Sequence, residues 1–193
     1  VAWRELTAPP ARPVSFDVAK QHMRLNGHDE QAYVELLIDA ATKVVESQTR
    51  RALIARSFRL HLDRFPDGRE IELPVAPVQS LASVKYTDGL GVLTTWADAN
   101  YALDQRSLVG RVVLADGVSW PTGLLVAPNA VEVDFTAGYG TTEASVPQPL
   151  RAAILFLVAH WYENREAVNA GSVNEVPKTF DYALGGYKIV SVV

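Results

Sequence analysis

The chain has no cysteine, a single methionine, no run of lysines or arginines, and no apolar stretch long enough to cross a bilayer. Each absence excludes something. Without cysteine there is no disulfide framework, no thiolate zinc site and no cysteine nucleophile, which suits folding in a reducing compartment. The longest apolar run, AAILFLVA at 152–159, falls far short of the roughly 20 residues a membrane helix needs. The opening VAWRELTAPPARP lacks the apolar core of a signal peptide. A soluble chain made in the cytoplasm is expected, with no membrane partner. The charge balance is acidic, 18 Lys and Arg against 22 Asp and Glu for a net −4. Such a chain lacks the basic footprint of a protein that grips phosphate backbones. Neither a GxSxG elbow, a GxxxxGK[ST] loop nor an HExxH helix occurs. The glycine pairs of DGLGVLTT (88–95) and AGYGTT (137–142) stop short of GxGxxG and fit turns instead.

What is present is an ordinary globular composition, 48% hydrophobic and 21% charged over 193 residues, enough chain for a good core. The proline-rich TAPPARPVS (7–15) cannot be helical. FDVAKQHMRL then reads as a short helix, 15–25, with Ser15 as cap and Asn26-Gly27 as stop. A second helix, 30–51, opens after Asp29 and carries Tyr33, Leu36/Leu37, Ala40/Ala41 and Val44/Val45 at helical spacing. The pattern then changes to alternation. SFRLHLDRF (57–65), a turn at Pro66-Asp67-Gly68 and EIEL (70–73) predict one hairpin; ASVKYT (82–87) and VLTTW (92–96) predict a second. NYALD, RVVL and AVEVDF, beginning at 100, 111 and 130, add three short strands to a β region spanning 56–137. At least six strands imply two small sheets or a partly closed barrel. After GYGTTEASVPQP, with Thr142 or Ser145 as candidate caps, a helix over 148–168 is apolar on all sides from Ala152 to Ala159. A short helix near 177–184, broken by Gly185-Gly186, and the extended KIVSVV close the chain.

Candidate chemistry is sparse. The four histidines, His22, His28, His61 and His160, fall on four different elements. His61 and Asp63 share a strand face, a pattern commoner on the wet side of a sheet than in a metal site. The densest polar stretch is HWYENREA (160–167), where the last helix leaves the core. An enzyme, for example a small hydrolase, would use His160, Glu163 and Glu166 there, yet no convergent partner from another element is evident. The alternative is that aromatics anchor the helix end while the charges bridge to neighbours. A nucleic-acid-binding module is a further rival, opposed by the acidic charge and by the lack of basic–aromatic interleaving. No catalytic residue, metal ligand or cofactor is assigned.

The ordered series of strings is more specific than any one of them. VAHWYENREAV preceded by VPQPLRAAILFLV and FTAGYG, the start PVSFDVAKQHMRL, the helix DEQAYVELLIDAAT leading to TRRALIARSF, and LDRFPDGREIELPVAPVQSLASVKYTDGLG together resemble the head–tail connector (adaptor) proteins of long-tailed bacteriophages and gene transfer agents. The resemblance spans residues 8–168. In the tail, Val176-Pro177 is kept but Gly185-Gly186-Tyr187-Lys188 replaces the Pro-Tyr-Arg-like close common in that family.

The resemblance implies a non-enzymatic, α+β structural protein: a small helical bundle of N-terminal helices plus a long C-terminal helix, an inserted region of short antiparallel strands, and an extended C-terminal tail. Residues 1–172 would form one connector domain, and 173–193 a docking tail. It implies a closed ring of about twelve copies with head-to-tail contacts, seated under the portal protein and joined to a stopper or tail-completion protein. DNA would pass through its channel without sequence-specific binding. The expected location is the head–tail junction of the particle, with the host cytoplasm as site of assembly. Glu35, Asp39, Lys43, Tyr162, Glu163, Arg165 and Glu166 are the expected subunit-interface residues. Phe180, Tyr182, Leu184, Tyr187, Ile189 and Val190 are expected to dock the tail on the portal, and removal of the tail is expected to leave a folded remainder.

Overall fold

The computed structural model describes residues 2–107, 109–125, 127–165 and 178–189. The chain divides into two compact units, one of strands (1–9 and 55–138) and one of helices (10–54 and 139–193). Together they make an α+β protein with antiparallel sheets and four helices.

In the helical unit, α1 (Phe16–Met23) begins after Ser15, as the sequence predicts, but the Ser15 side chain makes no capping bond. Its backbone N–H instead donates to Glu143 Oε2 at 3.2 Å. Arg24, with φ of 55°, takes the left-handed position that ends the helix, ahead of Asn26-Gly27. Helix α2 (Gln31–Thr49) buries Val34, Leu37, Ile38, Ala41, Val45 and Thr49. The buried stripe is therefore turned by one position from the expected one: Leu36 is 63% exposed and Ala40 is exposed, while Val34 and Ile38 are fully buried. Both registers have helical spacing, and the packing partner decides between them. Helix α3 (Gln148–Glu163) starts after Pro147 and keeps Pro149 in its first turn, where the missing N–H costs nothing. None of Ala152 to Ala159 is exposed. The helix ends at Glu163, short of the expected 168, where the Asn164 side chain donates to the His160 carbonyl at 2.8 Å.

The last helix is α4 (Lys178–Leu184), within the stretch expected to be a docking tail. Phe180 and Leu184, four residues apart, are 1% and 0% exposed and join the core formed with Ile38, Leu150, Ile154 and Leu157. Arg51, itself buried, donates to the Tyr187 carbonyl at 2.9 Å and to the Tyr139 hydroxyl at 3.2 Å, and its guanidinium lies 5.8 Å from the Tyr187 ring. Helix α4 thus contributes Phe180 and Leu184 to the helical core.

The strand unit holds two antiparallel sheets. The first has the order β1-β2-β8-β4-β5, built from β1 (Ala2–Glu5), β2 (Arg56–Leu62), β4 (Val78–Thr87), β5 (Leu93–Thr95) and β8 (Val131–Ala137). The second, β3-β7-β6, joins β3 (Glu70–Glu72), β6 (Tyr101–Asp104) and β7 (Arg111–Leu114). The β4–β5 hairpin forms as the sequence predicts, with Lys85 opposite Thr95 and Thr87 opposite Leu93. The first predicted hairpin does not. EIEL pairs with β7, while β2 lies between β1 and β8. Strand β8 offers β2 a seven-residue partner with Val131, Val133 and Phe135 buried in register. Strand β3 has one buried residue, Ile71, between two exposed glutamates, and finds a counter-charge on β7, where Arg111 lies 2.7 Å from Glu70. Strand β1 is unanticipated. All four of its residues are exposed, so no alternation marks it.

The buried face of the larger sheet stacks Phe58 on Phe135 at 5.6 Å, with Trp3 edge-on to Phe58 at 5.7 Å. The opposite face carries charge in register. Arg59 forks onto Asp134 at 2.6 and 2.8 Å and reaches Glu132 at 2.9 Å, while Lys85 lies 3.6 Å from Asp134. A second aromatic cluster stacks Phe65 on Trp120 at 4.9 Å, with Trp96 5.4 Å from both Trp120 and Tyr101.

Candidate functional site

HWYENR (160–165), the described part of that polar stretch, sits at the end of α3, beside the start of α2. Tyr162 donates its hydroxyl to Glu30 Oε2, and Arg165 donates to Glu30 Oε1 at 2.6 Å. The Arg165 guanidinium lies 4.7 Å from the Tyr33 ring and 4.5 Å from the Tyr162 ring, whose centroids are 6.2 Å apart. A cation between two aromatic faces and a carboxylate is attracted by all three. The Tyr162 hydrogen bond, and then that of Arg165, hold the Glu30 carboxyl below its usual range. The same bond to Glu30 raises the Tyr162 hydroxyl. Neither group is tuned toward proton transfer near neutrality, and the cluster works as a clasp between two helix ends.

Glu35 and Asp39 converge on Arg12, a residue of the proline-rich lead-in. Arg12 Nε and Nη2 donate to the two Asp39 oxygens at 2.7 and 2.9 Å, and Nη1 donates to Glu35 at 3.1 Å. Hydrogen bonding to Asp39 raises the Arg12 guanidinium further above its ordinary value. Lys43 lies 3.8 Å from Glu46. Among the expected interface residues, then, Tyr162 and Arg165 meet at one clasp, Glu35 and Asp39 at another, and Lys43 and the exposed Glu163 stand apart. Glu166 lies outside the described residues. The sequence reading missed Glu30, Tyr33 and Arg12. Tyr33 was legible as an aromatic three residues after an acid at a helix start; Arg12 had no local signal.

Of the expected docking residues, Phe180 and Leu184 are core, Tyr182 is 83% exposed, and Tyr187 and Ile189 are half-buried. Val190 lies outside the described residues. The histidines stay dispersed: His22 lies 6.1 Å from Phe156 and His28 5.5 Å from Phe16, ring to ring. Among the described residues no group of three or more His, Asp or Glu side chains is placed to hold a metal ion, and no helix is long and apolar enough to cross a membrane.

The candidate side chains thus gather into two clasps within the chain, one at Glu30 and one at Arg12, and the chain has a clear likeness to solved structures. The chain resembles particle-neck proteins. Over its whole length, and 98% of the other chain, it is 29% identical to a chain in the neck of an empty GTA (gene transfer agent) particle computed with C6 symmetry, with a TM-score of 0.84. Chains in the virion of the native gene transfer agent particle (TM-score 0.81) and in the neck of the native particle computed with C12 symmetry (TM-score 0.79) match at the same identity and coverage. No family model and no curated protein matches the chain. The similar chains are structural components of particles, and this chain is a structural protein, not an enzyme.

Proposed function

We propose that the chain is a connector in the neck of a phage-like particle, either a gene transfer agent or a long-tailed phage. Copies of it form a closed ring beneath the portal, join it to the stopper or tail, and leave a channel through which DNA is packaged and ejected. The observation that carries this reading is the end-to-end likeness to neck chains, 29% identical with a TM-score of 0.84. An identity at that level over a complete α+β fold extends beyond shared architecture to shared sequence. The C6 and C12 symmetries of the similar necks support a ring of twelve, since a head-to-tail contact closes only when each copy repeats the same rotation.

Within this reading the exposed Glu163, Lys43 and the outer faces of the two clasps meet neighbouring copies, with Glu166 continuing the same stretch. Tyr182, Tyr187, Ile189 and Val190 serve the portal, while Phe180 and Leu184 hold α4 in the geometry that presents Tyr182. Imaging particles that carry an epitope on this chain tests the proposal. The label should lie between portal and tail at every neck. Purified particles that lack the polypeptide would rule the role out.

A further inference from the structure

Among the described residues the five-stranded sheet has two open edges, and they are unlike. On one side β5 pairs only with β4; the turn before it exposes Leu90 (91%) and Val92 (56%), and Leu93 (53%) opens the strand. Between Asp88 and Asp98 there is no charged residue. Natural edge strands are usually blunted by charge, proline or a covering segment, because bare apolar edges recruit other chains. This edge has none of those protections along its turn.

The turn is also rigid. Asp88 accepts from the Leu90 and Val92 N–H groups through Oδ1 at 2.9 and 3.0 Å, its carbonyl accepts from Gly91 N–H at 2.9 Å, and its own N–H donates to the Val92 carbonyl at 3.0 Å. Gly91, at φ of 83°, permits the geometry. The Leu125 N–H donates to the Thr87 carbonyl at 3.0 Å, which ties down the β4 end of the hairpin. A preorganised turn loses little entropy when its apolar side chains are covered.

On the other side β1 pairs only with β2, and it carries the exposed Trp3 (47%) followed by Leu6 (40%). Four inter-strand steps separate the two edges, about 19 Å at the usual spacing, so they lie on opposite flanks of the sheet. A head-to-tail ring needs two different patches on opposite flanks of each subunit.

We propose that the β4–β5 turn of one copy seats on the β1 edge of the next, so that Leu90, Val92 and Leu93 cover Trp3 and Leu6 and the sheets run on from subunit to subunit. This inference rests on the neck reading and names its subunit contact. It places that contact in the strand unit, apart from the helical residues proposed above. Strand addition at an edge supplies main-chain hydrogen bonds, and the apolar side chains fix the register.

The absence of native cysteine makes the test clean. Particles are prepared from cells carrying Leu6→Cys with Leu93→Cys in one chain, or either substitution alone, and treated with a short bismaleimide. The expected result is a ladder of linked multimers from the double variant and monomer from each single variant. Dimers from a single variant would mean that like edges meet, and would overturn the proposal. So would monomer alone from double-variant chain recovered in particles, a result that leaves the neck role standing. As a second arm, Leu90→Asp with Leu93→Asp changes only exposed side chains. It should leave the melting temperature unchanged and lower incorporation into particles by at least about tenfold, the scale of one interface hot spot. Normal incorporation would overturn the contact. If the unaltered chain is itself missing from particles, the neck role falls first and this contact with it.

Discussion

Burial raises the Asp134 carboxyl, and Arg59 and Lys85 more than offset it, by hydrogen bond and by charge, so that the group ends below its usual range. The surrounding ion pairs lie across three strands in register, which makes Asp134 the centre of the sheet's polar face. Asp134→Asn leaves Arg59 with Glu132 and Lys85 with a neutral neighbour. It should destabilise the strand unit by about 1–2 kcal/mol at neutral pH, the cost of weakening a charge-assisted hydrogen bond. The pH dependence has a definite sign. A carboxyl whose folded pKa lies below the unfolded value of about 4 contributes fully above that value and loses its contribution as pH falls through the lower folded one. Urea unfolding of wild type and variant should therefore show a constant gap between about pH 5 and 7 that closes below about pH 4. A gap that persists unchanged in acid would assign the loss to packing and not to charge.

At the scale of elements, α4 carries one buried and one exposed aromatic two positions apart. Phe180 is buried against α3 while Tyr182 stands in solvent. Phe180→Ala should cost about 3–5 kcal/mol, as large aromatic truncations in a core do. Tyr182→Ala should change stability by no more than about 0.5 kcal/mol. Thermal melts of the two variants check the first half of the contrast. Capture by portal-bearing heads checks the second, because Tyr182→Ala should stay folded and bind less. The sequence offered part of this. Phe180 and Leu184 stand at helical spacing in a segment readable as a short helix, and the glycines after it mark a segment too broken to form a core of its own; that it joins the core of α2 and α3 has no local signal. Helix α2 and the β4–β5 hairpin were legible because local periodicity and a local turn determine them. The partner of β3 was not, since it depends on β7 some forty residues away finding the glutamates of EIE with Arg111. Likewise the residue types at the end of α3 were plain in the sequence, but Glu30, 132 positions from Tyr162, becomes their partner only when α2 and α3 pack.

For the molecule as a whole, net charge constrains what the proposed ring does to its cargo. Each subunit carries −4, and closure multiplies that charge around one axis. A conduit lined by acidic groups repels a polyanion and lets it slide, whereas a basic lining would hold it through counterion release. If acidic side chains face the channel, duplex DNA should not be retained by the purified chain, nor by necks from emptied particles, even at low salt. Gel-shift or filter retention at about 50 mM salt is the sensitive condition, because phosphate contacts are strongest there and weaken steeply toward about 200 mM. Retention that falls steeply across that range would mean basic groups converge on the channel despite the overall sign, and the chain would then grip DNA as a binding module does. Absence of retention together with presence in necks is the combination that a passive conduit requires, since either result alone also fits a protein with no part in DNA passage.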